Sequence, residues 1–306
     1  MIGIGHIGAG DMARARAAEL QKEKDVRLLV GWSRGEANRR QYERLTGGRA
    51  VEDWRAVIDH PDVQAVCIAT PTATHARYAL CALEAAKHVL LECPAAANVA
   101  DLDRMQQAAE RSGLVLYVGS NYRFDAAARA LAWAAERVGR VLLAQGDSSW
   151  CPPSPWYFER AMSGGVFCCV HLYQMRLFHC LGRATGVTAH FGATEHYGVA
   201  MVKYESGALA VATGGLHRFG TNEFSMVGSE GMLCRQPDGT WVLRRTIGTE
   251  AFPVGDVHAT REDNAAFLRC LRGEEDWRIH ARQEREVHAL AIAAQQSAEQ
   301  GRCVIL

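Results

Sequence analysis

The first residues of the chain combine glycine spacing with apolar residues in a way that suits phosphate binding. Gly8, Gly10 and Ala13 fit the G-x-G-x-x-G/A spacing of a dinucleotide-binding turn. In such a turn Gly8 lets the chain reverse, and Gly10 lets the backbone approach a pyrophosphate. Asp11 and Met12 would open the following helix, whose free N–H groups and positive dipole end attract phosphate. The spacing predicts a dinucleotide site, and an ordinary glycine turn is the alternative.

A second chemical signal lies at the end of the next apolar run. A carboxylate there, about 20 residues past the glycines, would bind a ribose 2′-OH and repel a 2′-phosphate. This chain instead has Ser33 and Arg34, which can donate to a phosphate, and Arg39 and Arg40 follow one to two helical turns later. The pattern favours NADP over NAD, with NAD still possible. The alternative is that Ser33 and Arg34 are ordinary turn residues.

A third turn follows the buried run Ala65–Ala69. Pro71 stiffens it, and Thr72 or Thr74 is placed to cap a helix that begins near His75. By itself this is a plain capped turn.

Short apolar runs alternate with helical stretches over residues 1–120, which predicts a parallel sheet with helices on both faces. Right-handed crossovers then give a doubly wound domain. The expected strands after the first are 26–30, 65–69, 88–91 and 114–118, and the expected helices include 36–46, 53–59, 75–86 and 99–111.

The pattern changes after Asn121 to turn-linked strands with few helices, which predicts an α+β domain with a large, mainly antiparallel open sheet. We therefore expect an α/β protein with a dinucleotide-binding domain over 1–120 and a substrate-binding and oligomerisation domain over 121–306. The expected strands are 141–146, 186–192, 199–204, 208–214, 223–227, 232–235 and 240–245, and the expected helices are 126–137, 166–181, 260–272 and 281–300.

Composition excludes several classes of protein. Hydrophobic residues make up 48% of the 306 residues, and Lys plus Arg equal Asp plus Glu at 34 each. A neutral chain gives no basic field for nucleic acid or an anionic membrane, and no run approaches the roughly 20 apolar residues of a membrane span. The ten cysteines lack CxxC pairs, so we expect no metal site and reduced thiols in a cytoplasmic protein. The neighbouring pair Cys168-Cys169 leaves a redox role open.

Several further motifs extend the signals above along the chain. They are Thr70-Pro71 with His75, Glu92-x-Pro94, Asn121-Tyr-Arg-Phe124, Gly164-Gly165 with His171, and Ser297 with Gly301-Arg-Cys-Val304. In this order and spacing the sequence resembles the Gfo/Idh/MocA family of NAD(P)-dependent oxidoreductases over essentially its whole length. The resemblance implies a Rossmann domain, then an open-sheet domain that supplies the substrate pocket and often a dimer interface. It also implies cofactor contacts from Thr70, Pro71, His75, Glu92, Cys93 and Asn121, with the Glu92-Cys93-Pro94 turn near the nicotinamide and compatible with a cis bond before Pro94.

The chain departs from the family at two motifs. Many members carry Glu-Lys-Pro where this chain has Cys93, and a thiol cannot copy an ammonium. The family's Asp-x-Gly-x-His-x-x-Asp keeps only His171 here, with a shortened spacing from Gly165. His171 is then the best remaining acid or base, because imidazole titrates near neutrality, and a buried helix histidine is the alternative.

Further site residues follow from the same resemblance. Arg123 is a candidate for orienting a polar or anionic substrate, or alternatively for an inter-domain ion pair. Trp156 and Tyr157 lie in a proline-rich loop that could overhang a substrate, or alternatively pack as a surface loop. Cys93 is a less favoured candidate nucleophile, since no base lies beside it in sequence.

The resemblance implies hydride transfer to or from a carbinol or carbonyl carbon of a small polar substrate, such as a sugar, a cyclitol or a hydroxy-semialdehyde. The alternative is a non-catalytic regulatory or sensor protein that binds a dinucleotide. We expect a homodimer or homotetramer, with no nucleic-acid or membrane partner.

Overall fold

The computed structural model describes residues 1–217, 219–253, 255 and 257–306, which form two compact units. The first unit comprises Met1–Asn121 and Ala259–Arg285, and the second comprises Tyr122–His258 and Glu286–Leu306. The sequence prediction of continuous domains over 1–120 and 121–306 did not place residues 259–285 with the first unit. The assignment of cofactor binding to the first domain and of substrate binding to the second stays a prediction.

The first unit contains a six-stranded parallel sheet in the order β3-β2-β1-β4-β5-β6. This is the order of a Rossmann sheet, as predicted. Its strands are β1 (Ile2–Ile7), β2 (Val26–Trp32), β3 (Arg49–Val51), β4 (Ala65–Ile68), β5 (His88–Glu92) and β6 (Leu116–Gly119). Its helices are α1 (Asp11–Leu20), α2 (Glu36–Thr46), α3 (Arg55–Ile58), α4 (His75–Glu84), α5 (Val99–Ser112) and, from the C-terminal part of the chain, α9 (Ala259–Leu271) and the start of α10 (Trp277–Gln300).

The second unit contains a nine-stranded sheet in the order β14-β13-β12-β11-β7-β10-β9-β8-β15. Among the described strands of this sheet only β7 and β10 pair in parallel, so the predicted mainly antiparallel sheet is confirmed. The strands are β7 (Val141–Trp150), β8 (Ala184–Phe191), β9 (Tyr197–Tyr204), β10 (Leu209–Leu216), β11 (Thr221–Gly228), β12 (Met232–Arg235), β13 (Trp241–Arg245), β14 (Gly248–Ala251) and β15 (Val304–Ile305), and the helices are α6 (Ala126–Ala135), α7 (Arg160–Ser163) and α8 (Leu172–Leu177).

The helix predicted over 166–181 is helical but not one α-helix. It begins as a π-helical turn at Phe167–His171, continues as α8 and ends in a 3-10 turn at Phe178–Leu181. Apolar periodicity predicts a helix but cannot distinguish these hydrogen-bond registers. His171 is the last residue of the π-helical turn.

Alternation along β9 shows how the second sheet is buried. Gly198, Ala200, Val202 and Tyr204 are buried, while the residues between them are exposed. One face of the sheet therefore packs on the core, and the other remains open in the single chain.

A fully buried arginine joins three elements of the first unit. Arg16 of α1 donates through Nε to Glu92 at the end of β5, and through its terminal nitrogens to Asn264 and Asp263 of α9, each at 2.8 Å. A Cβ on Gly119 of β6 would lie 2.2 Å from a guanidinium nitrogen, so glycine leaves the space that the arginine fills. Tertiary packing around one charge thus attaches α9 to the sheet.

None of the helices in the described ranges is long and apolar enough to cross a membrane.

Candidate active site

The glycine turn has the geometry that the sequence predicted. Gly8 has φ of +105°, and a Cβ there would lie 2.3 Å from the carbonyl oxygen of Ala69. A Cβ on Gly10, by contrast, would meet nothing within 4 Å, and Ala13 is buried against the sheet. No side chain of the described residues caps α1 at Gly10. An open, uncapped helix N-terminus fits a pyrophosphate group, because the first N–H groups of a helix lack internal acceptors.

The residues that open α1 are exposed, as a cofactor contact requires. The Asp11 carboxylate pairs with Arg14, whose guanidinium also donates to the carbonyl of Ala9 at 2.9 Å. Met12 is 36% exposed. The pairing with Arg14 offsets the negative charge that Asp11 would present to a phosphate.

The end of β2 places Ser33 and Arg34 in different surroundings. Ser33 is 8% exposed, whereas Arg34 is exposed. Arg39 donates to the carbonyls of both residues, at 2.8 and 3.0 Å, and Arg40 pairs with Glu36. Within the described part of the chain the Arg34 guanidinium has no hydrogen-bond or ion-pair partner. Arg39 therefore stabilises the loop between β2 and α2, and the Arg34 side chain is placed to bind a ligand.

The turn after β4 corrects one prediction: neither Thr72 nor Thr74 caps α4. A 3-10 turn at Thr72–Thr74 precedes the helix, and Thr74 has helical dihedral angles instead of the extended ones of a capping residue. Its hydroxyl donates to the Pro71 carbonyl and contacts the Thr70 hydroxyl, both at 2.7 Å. Thr72 is buried. The threonines therefore stabilise the turn itself.

His75 connects the turns that follow β4 and β5. Its Nδ1 lies 2.9 Å from the Pro94 carbonyl and its Nε2 lies 2.7 Å from the Thr70 carbonyl. Burial lowers the pKa of His75 to about 4, although the carbonyl contacts act in the opposite direction. The imidazole is therefore neutral at pH 7, with a single N–H to share between two acceptors. Its position indicates support of both turns.

The turn after β5 contains a cis peptide bond between Cys93 and Pro94. The Glu92 carboxylate binds Arg16 and accepts from the Cys93 backbone N–H at 3.3 Å. Burial raises the pKa of Glu92, and the Arg16 charge opposes that rise. Both oxygens of Glu92 thus have protein partners, so Glu92 positions Cys93.

Glu284 of α10 is a neighbour of Cys93 that sequence reasoning missed. A carboxylate oxygen of Glu284 lies within 4.8 Å of the Cys93 sulfur, and Glu284 is fully buried. The two residues are far apart in sequence, and no local pattern links them. The prediction that no base accompanies Cys93 considered only its sequence neighbours.

The first unit collects the predicted cofactor residues. The glycine turn, Ser33, Thr70 and Cys93 follow the carboxyl ends of β1, β2, β4 and β5, which lie at one edge of a parallel sheet. Asn121 follows β6, and its amide donates to the Thr260 hydroxyl at 3.4 Å. This edge is where open α/β sheets bind ligands, and contact of each residue with a cofactor stays a prediction.

His171 lies in the second unit, at the end of the π-helical turn, and is fully buried. Its Nε2 lies 3.3 Å from the Gly214 carbonyl, and its Nδ1 has no hydrogen-bond partner among the described residues. A carbonyl only accepts, so this contact places the proton on Nε2 and leaves the lone pair on Nδ1. Burial lowers the pKa of His171 to about 4, against the opposing effects of Gly214 and Asp147. A neutral imidazole is therefore present at pH 7.

The aromatic residues predicted to touch substrate form a small cluster in the second unit. Trp156 and Tyr157 stack at 3.7 Å, and Trp150 meets Tyr157 edge-on at 4.8 Å. The Arg123 guanidinium lies 5.2 Å from the centre of the Phe124 ring.

Tyr157 also lines a shallow cleft in this unit. The other residues that line the cleft are Phe158, Arg160, Ser163, Gly165, Glu195, His196 and Gln295. His171 does not line it, so the cleft does not unite Tyr157 with His171.

The neighbouring cysteines Cys168 and Cys169 are free thiols. The Cys169 thiol donates to the Gly165 carbonyl at 2.9 Å. Burial raises the pKa of Cys168 to about 12 and that of Cys169 to about 11. Because the thiolate is the reactive form, this burial favours a packing role over a redox role for both thiols.

Two family models match successive parts of the chain. Residues 2–120 match the model of the GFO/IDH/MocA oxidoreductase family with an NAD-binding Rossmann fold, and residues 125–234 match a GFO/IDH/MocA C-terminal domain.

Similar proteins carry dehydrogenase and reductase names. The chain is 32% identical over 167 residues to a myo-inositol 2-dehydrogenase of Thermotoga maritima, covering 54% of this chain and 50% of that protein. It is 31% identical over 180 residues to a levoglucosan dehydrogenase of Pseudarthrobacter phenanthrenivorans, covering 53% and 46%. The chain thus spans about half the length of these relatives. Among solved structures, a biliverdin reductase of Synechocystis sp. PCC 6803, in complex with biliverdin and NADP+, superimposes with a TM-score of 0.86 at 23% identity. The superposition covers 97% of this chain and 99% of that chain, which establishes the fold.

The buried histidines predict how stability depends on pH. Burial lowers the pKa of His6, as of His75 and His171, to about 4, with Arg16 adding to the effect at His6. An unfolded histidine has a pKa near 6.5, so the unfolded chain binds more protons between these values, and the free energy of unfolding falls as the pH falls from about 6.5. Three such protons give a slope of up to about 4 kcal/mol per pH unit. Urea denaturation at pH 5, 6 and 7 measures it.

The matched variants are His75→Gln and His190→Gln. The first removes one buried proton acceptor and should reduce the slope, whereas the second changes an exposed histidine and should leave the slope unchanged. Equal slopes in all three proteins would contradict the assignment.

Proposed function

Because the chain belongs to the GFO/IDH/MocA oxidoreductase family, we propose that it transfers a hydride between NADP(H) and a carbinol or carbonyl carbon of a small polar substrate. Sugars and cyclitols are the favoured substrate class, because the relatives named above act on such compounds. The observation that carries the proposal is the uncapped helix N-terminus at Gly10, which lies directly beside the positive-φ turn at Gly8.

The residues of the first unit supply what a dinucleotide requires. The N-terminus of α1 offers backbone N–H groups to the pyrophosphate. Arg34 offers a charged, unengaged guanidinium to a 2′-phosphate, with Ser33 beside it. The bound nicotinamide supplies the hydride chemistry. The protein's own task is to position the cofactor and to handle the proton.

His171 is our candidate for the proton acceptor or donor. At pH 7 it is neutral and its lone pair lies on the buried Nδ1, as a proton acceptor requires, although a pKa of about 4 makes it a weaker base than an ordinary imidazole. The π-helical turn that presents it is a distortion found often at functional sites. Arg123 would orient the substrate beside it, and Trp156 and Tyr157 would cover the substrate.

Cys93 has a smaller part in this proposal. A thiol is a weak hydrogen-bond donor and does not replace a lysine ammonium. Its backbone is held by Glu92, and its sulfur lies near the Glu284 carboxylate. We assign Cys93 the packing of the nicotinamide end of the site and no proton transfer.

Cofactor choice gives the first prediction from this function. Arg34→Ala should weaken NADP(H) binding about 10- to 100-fold, since a charged hydrogen bond contributes about 1.5–3 kcal/mol, and should leave NAD(H) binding nearly unchanged. Titration calorimetry with both cofactors measures this. Arg44→Ala, at an exposed position of α2, is the control. Equal affinity of the wild type for NADP and NAD would count against the assignment.

Catalysis gives the second prediction. His171→Ala should lower turnover by about 10²- to 10⁴-fold, the usual contribution of general acid–base catalysis, while cofactor affinity stays unchanged. Nicotinamide absorbance with a panel of polyols, sugars and semialdehydes identifies the substrate and measures turnover. Cys93→Ser should have a milder effect.

Two outcomes would overturn this role: near-normal turnover of a folded His171→Ala protein, or loss of turnover in Cys93→Ser alone. Dinucleotide binding without turnover of any compound in the panel would favour the non-catalytic regulatory protein.

Assembly is a further part of the proposal. The open face of the second sheet exposes Tyr197, Val199 and Met201 of β9 and Leu209 of β10, by 36–46% each. Register places Met201 opposite Val211 and Leu209 opposite Leu143, so the apolar side chains are contiguous across the strands. Such a face is normally buried in an oligomer. We propose a second copy of this chain as its cover, in a homodimer or homotetramer.

Light scattering at micromolar concentration should therefore give at least twice the 33.5 kDa chain mass. Met201→Glu should shift the protein toward the monomer by placing a charge in the interface. Leu45→Glu, at an exposed apolar position of α2, should not. A wild-type monomer would refute the proposal.

A further inference from the structure

The connection between α9 and α10 brings three different metal-ligating side chains together within the first unit. Cys270 lies in the last turn of α9, Glu275 in the connecting loop, and His280 in the first turn of α10. The sulfur, a carboxylate oxygen and an imidazole nitrogen all lie within 4.8 Å of one another. Their spacing is C-x4-E-x4-H, so one short segment of chain supplies all three.

The separation of two of these atoms already suits a shared metal ion. His280 Nε2 lies 3.3 Å from Glu275 Oε2. Two ligands that bind one tetrahedral Zn²⁺ at about 2.0–2.2 Å lie about 3.4 Å apart. A nitrogen, an oxygen and a sulfur donor together form a set that Zn²⁺ accepts readily, whereas Mg²⁺ and Ca²⁺ prefer oxygen alone.

Arg269 holds the carboxylate in place through the oxygen that does not face His280. Arg269 Nε donates to Glu275 Oε1 at 2.5 Å, which leaves Oε2 directed toward His280. Such an outer partner orients a ligand, as is common around protein metals.

Electrostatics and access also favour a cation here. Cys270 lies in the last turn of α9, where the unpaired carbonyls give the helix its negative end. A thiolate and a carboxylate together balance the two positive charges of Zn²⁺. Cys270 is 4% exposed, while the side chains of Glu275 and His280 are 33% and 21% exposed. A metal can therefore enter from solvent and reach a shielded sulfur.

We propose that Cys270, Glu275 and His280 bind one Zn²⁺ ion, with water at the fourth position, and that the ion ties the end of α9 to the start of α10. On binding, the bond from sulfur to zinc forms as the thiol proton leaves to solvent, and no electron is transferred. The site is independent of hydride transfer. It stabilises the helix that also carries Asp263 and Asn264, the partners of Arg16.

Metal binding to the full chain tests this without any activity measurement. After chelator treatment, equilibrium dialysis against micromolar Zn²⁺ should give one ion per chain, and Zn²⁺ should raise the thermal unfolding temperature. Co²⁺ should give the charge-transfer absorption of a thiolate ligand. Both signals should weaken on acidification, since binding releases a proton.

Variants separate this site from the other nine cysteines. Cys270→Ser and His280→Gln should each lower Zn²⁺ affinity at least about tenfold and abolish the zinc-dependent gain in stability. Cys303→Ser, at an exposed cysteine of the second unit, should bind as the wild type does. If Cys270→Ser does not fold, His280→Gln and Glu275→Gln carry the test, because both positions are partly exposed. No bound zinc in the wild type, or unchanged binding in the folded variants, would overturn the proposal.

Discussion

The buried charge of Arg16 is the interaction on which the first unit depends. Burial alone would lower its pKa, but Glu92 and Asp263 outweigh that effect and raise it above the ordinary value. An arginine without its partners in this position would cost about 3–5 kcal/mol, so the acceptors from β5 and α9 are required wherever Arg16 is buried. The Tyr117 hydroxyl completes the network by donating to Asp263 at 2.9 Å. Because Arg16 lies on α1, one charge connects the helix that follows the glycine turn with the Glu92-Cys93-Pro94 turn.

The same network explains why Glu92 and Cys93 have different roles although they are adjacent. Glu92 uses both carboxylate oxygens within the protein, one toward Arg16 and one toward the Cys93 backbone N–H. It therefore fixes the backbone of the turn and leaves the side chain of Cys93 as the variable element. A change of that side chain can therefore alter the chemistry of the turn without disturbing the support beneath it.

Each of the two units contains a buried, neutral histidine. His75 spans two turns of the first unit, and His171 meets a backbone carbonyl of β10 in the second. In both, desolvation favours the uncharged ring, so each acts near neutrality through one N–H and one lone pair. At His171 the single carbonyl contact also selects the tautomer, with the proton on Nε2, whereas the two carbonyls around His75 compete for its one N–H.

The sequence by itself determined what depends on local pattern. Strand and helix periodicity gave the parallel and antiparallel sheets, and the spacing of Gly8 and Gly10 gave the phosphate-binding turn. It missed the short edge strands β3, β14 and β15, which contain too few residues to show alternation. Only the tertiary structure decided which acceptors surround Arg16, since Glu92 and Asp263 lie 76 and 247 residues away from it in sequence. The position of Glu284 near Cys93 was likewise decided by the tertiary structure. Contacts at such separations arise when packed elements bring side chains together to pair or shield their charges, and no local periodicity records them.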